Sequence, residues 1–262
     1  RLPSALALLL VALPANLAGR APSPSAAATA YEGAPESARR DCERLNDSGT
    51  YADALPFCRA AVAQLRGAET PDSGDLGRVL TSLGLALEMT GDRNAAEASY
   101  REALALYRSL GRPAQEALVL SNLAALAIGG GDYGAALAWL AEEEAVTRRA
   151  LAAGDESWAP AELEYVWMNR SVALEQLGAY TEALAQIRPL ANRSLAEGAG
   201  GPATRESAAL AVNLAVLYRN LGDPRRALTL LDRARIVYDA LGDRSALANV
   251  HLNRGLVFQL NL

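Results

Sequence analysis

A glycine returns along the chain at Gly49, Gly91, Gly131, Gly178 and Gly222, at intervals of 42, 40, 47 and 44 residues. Five residues after each stands an alanine: Ala54, Ala96, Ala136, Ala183 and Ala227. Seven residues before each is another small residue: Cys42, Gly84, Ala124, Ser171 or Ala215. A period of tens of residues restricts the chain to stacked copies of one supersecondary unit, because each copy buries its apolar face only against a neighbour. From Tyr31 onward the segments between glycines carry apolar residues at i, i+3, i+4 and i+7 and no strand-like alternation, so the unit is a pair of helices. Glycine suits a helix C-terminus that ends in a left-handed residue. The small residues suit two antiparallel helices crossing closely beside a short turn, and the two small rows are expected to face each other.

The periodicity predicts helices near 36 to 48, 51 to 66, 75 to 90, 93 to 110, 114 to 128, 133 to 153, 160 to 177, 180 to 197, 204 to 221, 225 to 241 and 245 to 260. Breaks are expected at 67–74, 111–113, 154–160, 198–202 and 242–243, and Gly129-Gly130-Gly131 reads as a helix stop.

These units resemble tetratricopeptide repeats. The family pattern W-x-x-L-G-x-x-Y, followed by an alanine and an aromatic in the second helix, is met by Leu80, Leu83, Gly84 and Leu87 with Ala96, Tyr100 and Ala103. It is met again by Trp167, Ser171, Leu174, Ala183 and Ile187, and by Leu214, Ala215, Tyr218, Ala227, Leu231 and Ala234. The family's usual period is shorter, so these resemble the extended variety with a period of about 40 residues, and Arg170 stands at a usual leucine position. The resemblance implies an all-α, right-handed superhelical solenoid of antiparallel helix pairs. Residues 31–262 would hold five repeats, about 35–68, 77–112, 117–154, 164–200 and 208–243, with a half repeat at 248–262.

Ahead of the repeats, residues 1–30 read as a secretory signal peptide and a small-residue linker: one arginine, an apolar run, then APSPSAAATA. Ala28-Thr29-Ala30 fits a cleavage site, with Ala18 as an earlier alternative. Leu17-Ala18-Gly19 resembles the start of a bacterial lipoprotein signal, but Arg20 stands where that family has its lipidated cysteine. Two prolines and an asparagine break a run already shorter than the ~20 residues of a spanning helix, so no membrane span is expected in the mature chain. The expected location is outside the cytoplasm of a bacterium, periplasmic or extracellular. The chain lacks a starting methionine and ends in the apolar GLVFQLNL, so either it is truncated or another chain covers Val257, Phe258 and Leu260.

Charge and residue types exclude several functions. All 25 basic residues are arginines in a chain of net charge −5, which argues against a nucleic-acid surface. Cys42 and Cys58 lie either side of the first turn. In an exported chain they form a disulfide; otherwise they are a pair of small core residues. His251 is the sole histidine, at a packing position, and with two cysteines it makes no zinc site. No nucleophile with a base, no phosphate loop and no redox motif is present, so no catalytic residue, cofactor or small-molecule substrate is expected. Glu142-Glu143-Glu144 reads as a solvated helix face.

One polar row follows the repeat. Asn122, Asn169 and Asn213 stand nine residues before their turn glycines, and Asn253 continues the spacing of 47, 44 and 40. By the resemblance, first helices line a concave groove, and asparagines here hold the backbone of a bound peptide in some members. An amide offers donors and an acceptor to a peptide N–H and C=O together. The other reading is that each amide bonds a neighbouring repeat and fixes stacking. By the same register Tyr165, Met168 and Arg219 join the groove. The basic carboxylate clamp of chaperone-binding members is not matched, with Glu43 in the first unit where those have asparagine and Ser82 in the second. The sequence therefore predicts a non-enzymatic scaffold that binds an extended peptide or a partner helix. The alternatives are the sensory region of a larger membrane-tethered signalling protein, or a purely structural assembly module.

Overall fold

The computed structural model describes residues 35–68, 72–154, 158, 161–194 and 204–259. The expected leader at 1–30, the linker at 198–202 and Leu260 lie outside them. The described residues form eleven helices and no strand: α1 (Pro35–Asp47), α2 (Tyr51–Gly67), α3 (Ser73–Met89), α4 (Arg93–Ser109), α5 (Pro113–Gly130), α6 (Tyr133–Ala152), α7 (Ala161–Gln176), α8 (Tyr180–Ser194), α9 (Arg205–Asn220), α10 (Pro224–Ala240) and α11 (Arg244–Gln259). Each lies within about three residues of its expected bounds, the margin that helix ends carry anyway. The fold is all-α, built as stacked antiparallel helix hairpins.

The helices form two compact units. In the first, α1 pairs with α2, α3 with α4 and α5 with α6; in the second, α7 pairs with α8 and α9 with α10, and α11 packs on α10. Tyr100, Leu80, Leu120, Leu123 and Leu140 are fully buried in the first unit, as are Ile187, Leu190, Leu217, Leu231 and Tyr238 in the second.

The turn chemistry explains why hairpins recur. Gly91 has φ 94° and donates to the Glu88 carbonyl at 3.0 Å, while Asp92 N–H reaches the Leu87 carbonyl at 2.9 Å. A residue with a β-carbon resists that left-handed conformation. The Asp92 carboxylate then accepts from Ala95 N–H at 3.2 Å and caps the next helix. Asp132 and Asp223 repeat the cap on Ala135 and Arg226. A Gly-Asp pair thus ends one helix and starts the next, the cap contributing about 1 kcal/mol.

Beyond each turn, Ala54, Ala96, Ala136, Ala183 and Ala227 are all 0% exposed. The opposing row is small for a more specific reason than expected. A β-carbon at Gly84 would sit 2.5 Å from Cε1 of Tyr100, and one at Gly77 would sit 2.9 Å from the Tyr107 ring. In this hairpin the small residue therefore faces an aromatic ring one turn beyond the alanine.

Three expectations need correction. α5 runs two residues further, through Gly130, and ends at left-handed Gly131, whose N–H donates to the Ile128 carbonyl at 3.0 Å; the Arg93 side chain lies where a Gly130 side chain would be and donates to the Leu126 carbonyl. Glu143 is 8% exposed, since the α6 face it occupies turns inward with Val146 and Thr147; only Glu142 of the three is fully on the surface. His251 is exposed, not packed, on a face of α11 that no described helix covers.

In the first unit the second helices are tied across the surface. Arg66 on α2 meets Glu102 on α4 at 2.6 Å, Arg108 on α4 meets Glu142 on α6, and the Arg101 guanidinium lies 5.5 Å from the centre of the Trp139 ring.

Candidate functional site

Because the hairpins stack in register, the first helices of each unit lie side by side: α1, α3 and α5 in one unit, α7, α9 and α11 in the other. Each unit therefore presents a face built from first helices, and the asparagine row falls on these faces.

The row divides into two kinds of residue. Asn122, Asn169 and Asn213 are half-buried, and among the described residues their side-chain amides make no hydrogen bond. Asn253 is 8% exposed and fully engaged. It donates to the Asn249 carbonyl at 3.1 Å and to Asn249 Oδ1 at 2.5 Å, and its own Oδ1 accepts from Arg219 Nη1 at 3.1 Å. Arg219 also donates twice to Asn220 Oδ1, and Asn220 Nδ2 donates to Glu175 Oε1 at 3.0 Å. A chain of polar contacts thus crosses α7, α9 and α11. It fixes the amide orientations and leaves Asn249 Nδ2 buried and without an acceptor.

The first unit contains a related step. Asn46, three residues before Gly49, donates through Nδ2 to the Ser82 carbonyl at 2.8 Å, and Ser82 lies nine residues before Gly91. Arg219 to Asn253 has the same spacing, from three before one turn to the row position of the next first helix. Counted this way, the first unit's own row position is Arg40 rather than Glu43. Asn46 and Asn220 were missed by sequence reasoning; a polar residue two or three places before a turn glycine is the signal that marks them.

Not every expected groove residue reaches the surface. Met168 is 4% exposed because it packs with Ile187, Leu210 and Leu214 in the core, so it does not line a groove. Tyr165 is half-buried beside the same cluster; burial, and then the charges of Glu206, Glu162 and Glu164, push its hydroxyl pKa up. In the first unit, burial raises the Glu88 pKa against the opposing pull of a hydrogen bond from the Tyr100 hydroxyl at 3.0 Å. Cys42 and Cys58 form a disulfide with their Cα atoms 4.8 Å apart, and both residues are fully buried.

Among the described residues no three or more histidine, cysteine or acidic side chains gather as a metal site would require, and no helix is long and apolar enough to cross a membrane.

Two family models described as tetratricopeptide repeat match residues 45–109 and 207–240. Among solved structures, BtubC (BKLC) from P. vanneervenii is similar at 19% identity and a TM-score of 0.62, over 80% of this chain and 88% of its own. A Podosopora anserina protein named for kinesin light chain, with nearly identical TPR-like repeats, is similar at 17% identity and a TM-score of 0.63, over 82% of this chain and 100% of its own. No curated protein matches the sequence. The two matched segments are tetratricopeptide repeats, and the fold of the described residues is similar to that of these repeat solenoids.

Proposed function

We propose that the protein is a non-enzymatic scaffold that binds an extended peptide segment on the face that first helices form within a unit. The observation that carries this is the state of Asn122, Asn169 and Asn213. Three amides recur at one register position, half-buried, with donors and acceptors that no described residue uses. A side chain needed for stacking would be bonded, as Asn253 is. A peptide backbone supplies the missing N–H and C=O groups without regard to its side chains. The location that best fits is outside the cytoplasm, supported by the apolar run at 5–13 and by the Cys42–Cys58 disulfide, which persists in oxidising compartments.

The test is selection from a random linear peptide library on the folded chain, followed by affinity measurement. Enriched peptides should lose at least ~10-fold in affinity, about 1.4 kcal/mol, for an Asn169→Ala, Asn213→Ala variant that melts like the wild type. Equal affinity for that variant, or no enrichment, defeats the proposal.

A further inference from the structure

Arg219 carries a charge that the fold does not answer. Its Nε and Nη2 donate to Asn220 Oδ1 at 3.2 and 3.1 Å, and its Nη1 donates to Asn253 Oδ1 at 3.1 Å. Both acceptors are neutral amide oxygens, and among the described residues Arg219 makes no ion pair. The carboxylate of this network, Glu175, is kept one amide away: Asn220 Nδ2 donates to Glu175 Oε1 at 3.0 Å while Asn220 Oδ1 takes the guanidinium. A single amide thus stands between two charges that could have met as a salt bridge.

Stacking does not require this arrangement. In the first unit the step of the same register is made by a neutral side chain, Asn46, on the Ser82 carbonyl. A half-buried guanidinium costs desolvation that neutral acceptors offset less than a carboxylate does. The geometry is also incomplete. A guanidinium has five N–H groups, one on Nε and two on each Nη, so the three bonds leave one N–H on Nη1 and one on Nη2. Asn220 and Asn253 hold the fork from two sides, and Arg219 keeps part of its surface in solvent. Two free donors on the terminal nitrogens of one planar fork match the two oxygens of a carboxylate. The Glu175 charge beyond Asn220 weighs more heavily against a dianion such as phosphate than against a carboxylate. Every residue involved lies on α7, α9 or α11, within one unit.

We infer that Arg219 receives an acidic side chain, aspartate or glutamate, of the bound peptide, with Asn220 and Asn253 as the positioning residues that orient its fork. The inference rests on the peptide-binding reading and adds to it the side chain that backbone-holding amides do not select.

The test titrates N-acetyl-glutamate methylamide into the full, isotope-labelled chain by NMR, with N-acetyl-glutamine methylamide as the neutral control of the same shape. Saturable shifts should centre on the C-terminal half of α9 and on α11, with the glutamine probe and the variant Arg219→Gln each at least ~10-fold weaker. Asn220→Asp keeps the shape of the side chain and sets a carboxylate against Arg219 from within the chain. It should weaken the glutamate probe by a similar factor with melting followed in parallel, and it decides the matter if Arg219→Gln fails to fold. Absence of saturable shifts, equal binding of the glutamine probe, an unchanged affinity for a folded Arg219→Gln or for Asn220→Asp, or shifts confined to other helices would overturn the inference. So would acetate or inorganic phosphate binding as tightly as the glutamate probe, which would assign the site to free anions. The probe has no extended chain to engage Asn169 and Asn213, and the library selection requires no acidic residue. Either proposal can fail alone.

Discussion

Arg219 Nη1 donates to Asn253 Oδ1 at 3.1 Å, from α9 to α11. It engages the oxygen that Asn122, Asn169 and Asn213 leave open, so one register position serves two purposes. Asn253→Ala removes both its donor and its acceptor contacts from a buried site and should cost about 1–3 kcal/mol. Asn213→Ala should stay within about 0.5 kcal/mol. A double-mutant cycle on Arg219 and Asn253 should give a coupling of about 0.5–3 kcal/mol, read by denaturant unfolding. An Asn213→Ala loss as large as that of Asn253→Ala would make the whole row a stacking device.

Gly84 lies against Tyr100 so closely that one added methyl has no room. Gly84→Ala should destabilise the first unit by about 1–3 kcal/mol through overpacking. Tyr100→Leu should recover part of that loss in the Gly84→Ala background while being harmful alone. Simple additivity of the two changes, measured by thermal melting, would remove the packing explanation.

Glu88 supplies a pH dependence. Burial raises its folded pKa above the ordinary carboxylate value, so the folded state holds its proton more tightly than the unfolded state does. Stability therefore falls as pH rises from the unfolded pKa through the folded one. Glu88→Gln keeps an acceptor for the Tyr100 hydroxyl and removes the charge. It should melt higher than the wild type at pH 7, with the difference closing below pH ~4. A gap that persists unchanged at low pH would place the effect elsewhere.

The disulfide closes a separation of 16 residues, a loop for which chain entropy suggests about 3 kcal/mol. Its effect should be local as well as global. α1 buries only Ala38, Cys42 and Asn46 among its described residues, with half-buried Leu45 beside them, so a Cys42→Ser, Cys58→Ser variant should lose amide exchange protection in α1 before α3 or α4. Uniform loss of protection across the first unit would contradict this.

Much of the fold was legible because its determinants are local. A glycine with positive φ and an alanine five places on are both readable from spacing. What escaped depends on partners distant in sequence. Gly130 has no room for a side chain because Arg93, 37 positions earlier, fills the space beside it. Met168 has the register of a groove residue, but core packing with Leu210 and Leu214 withdraws it. The asparagine row was visible as a row; its division was not, because no spacing shows that Arg219 reaches Asn253 while Asn213 is left free.

The surface ties between α2, α4 and α6 have a mechanical consequence. Arg66–Glu102 and Arg108–Glu142 sit where ions screen them, whereas Asn46 bonds α3 through a nearly buried amide that salt barely affects. Raising ionic strength should relax the second-helix side and leave the first-helix side in register, so that the hairpins of this unit splay like a fan held at one edge. Distance labels on α2 and α6 would report that compliance directly, and an invariant spacing would show the array to be stiff on both sides.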